Sequence, residues 1–325
     1  MINLTEKDNQ KPAILARALF LEISETNPII SSNEDLYQFN GIFYNILTKN
    51  EVNKIFWNFF KKHNIENSCW RKNIRGEILD ALHCLAPVRE INSEKNKICL
   101  KNGILDIETL ELTKHSPEYS FTSYVDVDYN PEDKNASNFS TFLADMFRID
   151  KRTTDEGTIS NIIRLGGYIL CHHNFSEKMF LFFGEGANGK SILFKLFESF
   201  FPKEEKTSLS LEALSKEDSF SRQRIIKSRI NISAEARGGD KNKIDVEELK
   251  KIISGDTIEV QVKYGSPVSI APIVKILISS NSIPYFSDNS HGFDRKIFIF
   301  DCPNRFIKDE EEYKKIKNPE DYNIY

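Results

Sequence analysis

Residues 184–191 read Gly184-Glu185-Gly186-Ala187-Asn188-Gly189-Lys190-Ser191, and this stretch decides the fold. Gly184, Gly186 and Gly189 lack the Cβ that would stop successive backbone N–H groups from turning inward around phosphate oxygens. Before the loop, Met179-Phe180-Leu181-Phe182-Phe183 reads as a buried strand; after it, Ile192-Leu193-Phe194-Lys195-Leu196-Phe197 reads as an amphipathic helix. A glycine-rich linker in an unrelated fold has neither flank. Strand, GxxxxGK[ST] loop and helix together make a phosphate-binding turn to which the helix adds its positive end. The loop from Gly184 through Ser191, with Glu185, Ala187 and Asn188 between its glycines, is therefore expected to hold ATP. Lys190 is a compact cation that reaches the β and γ phosphates, and Ser191 places its hydroxyl on Mg²⁺.

Toward the carboxyl end, strand-like apolar runs at 180–183, 230–233, 274–280 and 297–300 alternate with helical runs at 192–201 and 246–253. That alternation predicts an α/β core over 179–306, with helices around a parallel sheet. Three segments in it end in polar groups: Arg229-Ile230-Asn231-Ile232-Ser233-Ala234-Glu235, Ile276-Leu277-Ile278-Ser279-Ser280-Asn281, and Phe293-Asp294-Arg295. A carboxylate that activates water, an amide that senses the γ phosphate and a cation offered to a neighbouring subunit are the parts a ring ATPase requires. Between acid and amide, residues 254–267 alternate and turn at Gly265, which reads as a hairpin with Lys263 and Tyr264 near its tip. A lysine for phosphate and an aromatic ring for a base are the contacts that sequence-independent single-strand binding needs, and an ordinary surface hairpin shares the pattern.

On the amino side, residues 13–23 have helical spacing, and 36–44 alternate around Asn40-Gly41. A second hairpin is expected from 98–101 and 104–107 around Asn102-Gly103, with helical segments at 52–62 and 74–85 between the two. This makes 1–130 a smaller α+β domain. Turn formers at 128–133 mark its end, and helical patterns at 139–149 and 159–171 make 131–178 a helical linker or collar. The run 308–317 reads as a solvated helix in a charged tail over 307–325.

With 325 residues the chain exceeds one ordinary domain, and 40% apolar with 28% charged residues is usual for a soluble protein. Net charge is −4, so nucleic-acid contact must be local, in a channel or loop. The five cysteines show no CxxC spacing and read as reduced packing residues. The amino terminus has no basic segment leading into an apolar core and no apolar run is long enough to span a bilayer, so a cytoplasmic protein without a membrane partner is expected. Arg222, Arg224 and Arg229 read as a solvated helix face, with contact to nucleotide or DNA at a subunit edge as the sharper reading. His172-His173 reads as packing, because adjacent helical residues diverge by about 100°. Arg237 and Arg305 compete with Arg295 as the cation given to a neighbour.

The order of loop, acid, amide and arginine over 179–306 resembles the superfamily 3 helicases, in particular the primase-helicases of phages, plasmids and large DNA viruses. Residues 34–130 resemble the amino-terminal domain that precedes this core, through Tyr37-Gln38-Phe39-Asn40-Gly41 and Lys101-Asn102-Gly103-Ile104-Leu105-Asp106. The resemblance implies an AAA+-like P-loop core in which Glu235 has the Walker B role and shares Mg²⁺ with Ser191. It implies sensor 1 at Asn281, within Ser280-Asn281-Ser282-Ile283-Pro284, and the arginine finger at Arg295. It also implies that the Lys263 and Tyr264 hairpin projects into a ring's pore and grips single-stranded DNA. The function implied is an ATP-dependent DNA helicase motor in replication, a homo-oligomeric ring, a hexamer, at a replication fork. A separate primase is the further partner, because residues 1–33 are too few for a polymerase-type primase domain. One departure stands out: Ala234 precedes Glu235 where many members carry two adjacent acids, which leaves one carboxylate for both Mg²⁺ and water. A nucleotide-binding DNA clamp or regulator with little turnover fits that departure. A P-loop kinase acting on a small substrate explains neither Asn281 nor the hairpin.

Overall fold

A computed structural model describes residues 11–65, 70–133, 135–150, 152–217, 220–234, 244, 246–263, 265–284, 286, 291–307 and 322–324. Glu235, Arg237, Tyr264, Asp288 and the run 308–317 lie outside the described residues. The chain divides into two units, Met1–Tyr129 and Asn130–Tyr325.

The first unit contains α1 (Pro12–Thr26), β1 (Ile29–Ser32), β2 (Asp35–Phe39), β3 (Tyr44–Ile46), α2 (Lys49–Lys62), α3 (Lys72–Leu85), β4 (Lys97–Leu100), β5 (Gly103–Asp106) and β6 (Leu112–Thr113). Its strands form two antiparallel three-stranded sheets, β1-β2-β3 and β4-β5-β6. Helix α2 begins with a capping box in which Thr48 and Glu51 exchange bonds, and it buries Val52, Phe56, Phe59 and Phe60 against α1 and α3. Both Asn-Gly pairs lie at hairpins, though neither forms the two-residue turn itself. Asn40-Gly41 opens the loop 40–43, where the Asn40 carboxamide oxygen accepts from the amides of Ile42 and Phe43. In the second hairpin Leu100 pairs with Gly103, so Lys101-Asn102 is the turn and Gly103 already belongs to β5. A Cβ on Gly103 would stand 2.3 Å from the Thr113 carbonyl oxygen, so close strand approach is what that glycine supplies. The pairing of β1 with β2 through Asn33 and Glu34, both at positive φ, has no glycine to announce it.

The second unit contains α4 (Ser137–Met146), α5 (Glu156–Leu170), β7 (Met179–Phe183), α6 (Lys190–Ser199), β8 (Lys206–Thr207), α7 (Leu211–Ser215), β9 (Ile230–Ala234) and α8 (Glu247–Ser254). After these come β10 (Ile258–Val260), β11 (Val268–Ile270), β12 (Lys275–Ser280), α9 (His291–Asp294), β13 (Ile297–Asp301), β14 (Arg305–Ile307) and β15 (Tyr322–Ile324). Five strands form one parallel sheet in the order β13-β7-β12-β9-β8. Side chains alternate across it. Phe180, Phe182, Ile232, Leu277 and Phe300 face α4, α5 and α6, while Leu181, Ile276 and Ile278 face α7 and α8. The helices expected as a linker over 131–178 thus share a core with the sheet.

At the amino ends of the strands, cations hold the end of α5. Lys275 alternates with Ile276 and so points to the α5 side, where its ammonium donates to the carbonyls of Cys171 and Ile273. Arg229 donates to the Leu170 carbonyl and stacks over Phe201, its guanidinium carbon 4.8 Å from the ring centre. Two positive charges on the last carbonyls of a helix suit its dipole. Arg229 is 2% exposed, and Arg222 is fully buried and paired with Glu248 at 2.9 Å, which corrects their reading as a solvated face. Charge patterning misled because the partners, a carboxylate on α8 and the end of α5, are distant in sequence. Arg224 is exposed as expected. His172 is buried beside the same cations, and burial pushes its imidazole well below the ordinary value.

Burial, aided by the Arg229 charge, lowers the Lys275 ammonium to about 7. Below that pH both native and unfolded chains carry the proton. Between about 7 and the ordinary lysine value near 10 the unfolded chain binds more protons, so stability rises with pH. Denaturant melts of wild type and Lys275→Met between pH 7 and 9 are expected to show a wild-type gain of up to ~1.4 kcal/mol per pH unit relative to the variant. Equal slopes in the two proteins would mean that Lys275 stays charged in the native state.

Candidate nucleotide site

The carboxyl ends of parallel strands are where ligands bind in open α/β sheets, and residues 184–191 leave β7 there. Gly186, Ala187 and Gly189 have φ of 109°, 52° and 81°, successive left-handed positions that curl the backbone into an anion-binding concavity. The first helical amides bonded within α6 belong to Ile192 and Leu193, both onto the Gly189 carbonyl, at 3.0 and 3.1 Å. Lys190 and Ser191 precede them, so their N–H groups are the orphan donors of a helix start. Leu193, Phe194 and Phe197 fix the helix on the sheet, with the Phe194 ring edge-on to Phe182 at 4.9 Å. Strand and helix therefore hold the loop from both ends.

Asn188 clasps the loop from within. It is 4% exposed, and its carboxamide oxygen accepts from the Gly186 amide at 2.7 Å and the Lys190 ammonium at 3.1 Å. Its NH₂ donates to the carbonyls of Cys302 at 2.8 Å and Asn304 at 2.9 Å, so all four bonding positions of the carboxamide are used. Asn304 in turn donates to the carbonyls of Asp145, Met146 and Arg148 at the end of α4. The segment after β13 is thereby locked between loop and helix. Two glycines are required by this packing. A Cβ on Gly184 would lie 2.6 Å from the Cys302 oxygen, and one on Gly189 would lie 2.9 Å from Phe306 and 3.0 Å from Phe142.

Lys190 lies at the mouth of the loop, its ammonium on the Gly184 carbonyl at 2.6 Å, and burial lowers its pKa. Ser191 is exposed. A cleft of about 350 Å³ runs between 183–186 and Asn188 on one side and 301–303 with Arg305 on the other. Open space around Gly186, where an added Cβ would meet nothing within 4 Å, lets a ligand approach the backbone. These donors and this open concavity fit a polyphosphate, and Ser191 is exposed at the start of the helix that follows.

Strand register places the remaining candidates. Ser280 pairs with Phe183, and its carbonyl accepts from the Gly184 amide at 3.2 Å, so Asn281 follows directly beside the loop's first residue. Ala234 pairs with Ser279, so β9 ends two strands from β7, roughly 10 Å away, and the chain continues into Glu235 outside the described residues. Arg295 is not brought to the loop. It is exposed just before β13, at the amino ends of the strands, about 16 Å along the sheet from the carboxyl ends. Arg305, a rival for the same role, lines the cleft of its own chain. Lys263 is exposed on the loop 261–267 between β10 and β11, its amide bonded to the Gln223 side chain at 3.2 Å, while Tyr264 lies outside the described residues. The hairpin is shorter than the sequence suggests, because Ser254 ends α8 and Gly255 caps it at φ 75°.

Sequence reasoning placed Asn188 among the loop positions without its clasp, and it gave no role to Cys302 and Asn304. Their one available signal was position, just past the last sheet strand, on the edge where such folds bind ligands.

Comparison with known proteins gives one family match in each half of the chain. Residues 23–148 match a family model described as D5 N terminal like, and residues 182–296 match a family of unknown function, DUF5906. The L207/L206 protein of Acanthamoeba polyphaga mimivirus, which carries a helicase name, is 24% identical over 259 residues. The match takes in 78% of this chain and 26% of the mimivirus protein, so the chain spans about a quarter of that relative. Two apo structures of the NrS-1 C terminal region share the fold, each covering 95% of this chain with a TM-score of 0.52. They are 17% and 18% identical, and 67% and 64% of their own chains is covered. The chain is thus similar in its first half to the D5 N terminal like family and over most of its length to a helicase-named viral protein, and it shares its fold with the NrS-1 C terminal region.

Proposed function

We propose that this chain is an ATP-dependent DNA helicase motor that moves along single-stranded DNA in the replication of a phage, plasmid or related mobile element. It works as a homo-oligomeric ring, a hexamer, in which each ATP lies between two subunits. The observation that carries this reading is the division of parts across the sheet. Loop and Asn281 meet at the carboxyl ends of the strands, and Arg295 stands exposed at the amino ends, where it serves only a neighbour.

Backbone amides of the loop and the Lys190 ammonium hold the β and γ phosphates in line. Asn281 orients the attacking water and Glu235 polarises it. Ser191 and Glu235 would hold Mg²⁺, which would supply charge neutralisation on the phosphates. Arg295 of the adjacent subunit stabilises charge on the transferred group, a contribution of roughly 10³ to 10⁵ in rate. The Lys263 loop contacts the phosphate backbone of the strand in the pore, with Tyr264 against a base.

Hydrolysis of ATP is expected to rise on addition of single-stranded DNA and to vanish in Lys190→Ala. Arg295→Ala should lower the rate by about 10³ or more, and mixing it with Lys190→Ala should restore activity, because a composite site pairs an intact loop with an intact finger. Full DNA-stimulated hydrolysis by Arg295→Ala alone would remove the shared site. A clamp with little turnover predicts instead tight nucleotide binding with no stimulation by DNA.

The clasp has its own test. Asn188→Ala deletes the bonds joining Gly186, Lys190, Cys302 and Asn304, at about 1 kcal/mol each net, and leaves Gly184 and Gly189 in place. Calorimetric titration with a nonhydrolysable ATP analogue should show affinity weaker by ~10-fold or more, with far-UV circular dichroism unchanged. Wild-type affinity in the variant would show that the loop keeps its shape without the clasp.

A further inference from the structure

The first unit carries a surface that the ATPase reading does not use. On α2, Lys54, Trp57 and Lys61 are all exposed and fall within one stripe about 60° wide. Trp57 is 48% exposed, a high value for so large an apolar ring. It is nonetheless held firmly: its ring stands edge-on to Trp70 at 5.2 Å, and Trp70 stands edge-on to Phe60 at 5.7 Å. Arg75 fixes the pair from α3, with its guanidinium 4.6 Å over the Trp70 ring and a 2.8 Å bond to the Asn53 carboxamide of α2. Arg71 and Lys72, both exposed, flank Trp70 at the start of α3. Glu51, one turn before Lys54 on α2, has its carboxylate engaged by Thr48 in the capping box, and Glu77 lies about 160° round α3 from Arg75.

We infer that this tryptophan pair with its ring of cations is a second binding surface for single-stranded nucleic acid, separate from the Lys263 hairpin. A half-exposed indole locked in one orientation loses little entropy when a flat partner covers it, and every nucleobase offers a π face. Lys54 and Lys61 stand about 10 Å apart along the helix, a span of roughly three stacked nucleotides, so they reach phosphates on either side of a base placed on Trp57. An acidic protein would satisfy the cations and leave the rigid indole without a ring to stack on. Duplex DNA would offer phosphates and keep its base faces inside the stack. In a motor of the kind proposed above, such a surface gives a second hold on the strand, but its existence does not depend on ATP turnover.

The molecule carries its own probe, because its two tryptophans, Trp57 and Trp70, are both on this surface. Titrating the full chain with a twenty-residue oligothymidylate in the absence of nucleotide is expected to quench tryptophan emission. Trp57→Ala, still reporting through Trp70, should bind ~5- to 100-fold more weakly. Lys54→Ala with Lys61→Ala, a pair of exposed changes that leave the core untouched, should lower the slope of log affinity against log salt by about 1.4. Unchanged emission while a labelled oligonucleotide is shown bound by anisotropy would overturn the inference. So would an unaltered salt slope in the lysine variant, tighter binding of duplex than of single strand, or equal quenching by polyglutamate. Loss of ATPase activity alone would bear on the motor and not on this surface.

Discussion

A loop that presents most of its amides to a ligand keeps few for its own bonds, so its shape depends on ties to the rest of the chain. In this protein those ties run through one buried carboxamide of the loop itself. The Asn188 carboxamide oxygen accepts hydrogen bonds from the loop's own Gly186 amide and from the Lys190 ammonium, and its NH₂ donates two to the chain that leaves the last sheet strand. Asn304 extends the tie to the end of α4, and the stacked rings of Phe142 and Phe306 close over Gly189. The concavity is thus fixed by elements from 142 to 306, and its preorganisation is a property of the whole second unit.

Strand order sets the distances among the working parts. The strand that leads to Asn281 lies between the loop strand and β9, which leaves a gap of roughly 10 Å between the carboxyl ends of β7 and β9. The same order puts β13 on the other side of β7, so its carboxyl end meets the clasp and its amino end bears Arg295. One strand therefore spans from the cleft beside the loop to the edge of the sheet where Arg295 is exposed.

The parallel core was legible because each of its elements announces itself locally: apolar runs of strand length, helical periodicity, and a glycine-rich turn between the first two. Beyond element boundaries, tertiary partners decided. Arg222 and Arg229 looked like surface charge, and they are buried because Glu248 and the end of α5 come to them from elsewhere in the chain. Both Asn-Gly pairs pointed to real hairpins, with the turns displaced by side-chain bonding at Asn40 and by close packing of Gly103 against β6. The site was half legible. Loop chemistry is written in consecutive residues, whereas the clasp joins 188 to 302 and 304, a relation that exists only after the sheet has formed. Trp57 and Trp70 are likewise ordinary in sequence and become a surface only when α2 and α3 pack.

The position of β7 has a consequence for synthesis. This strand, Met179–Phe183, is the most aromatic of the sheet, and its two neighbours, β12 and β13, are both encoded after it, the second ending at Asp301. A nascent chain must therefore leave the ribosome with a sticky five-residue segment open on both edges until nearly all of the second unit has emerged. Truncations ending between 183 and 301 would strand it permanently, and insoluble product is the expected fate of such fragments. Slow assembly and exposure to chaperones are built into the same strand order that brings the loop beside the end of β12.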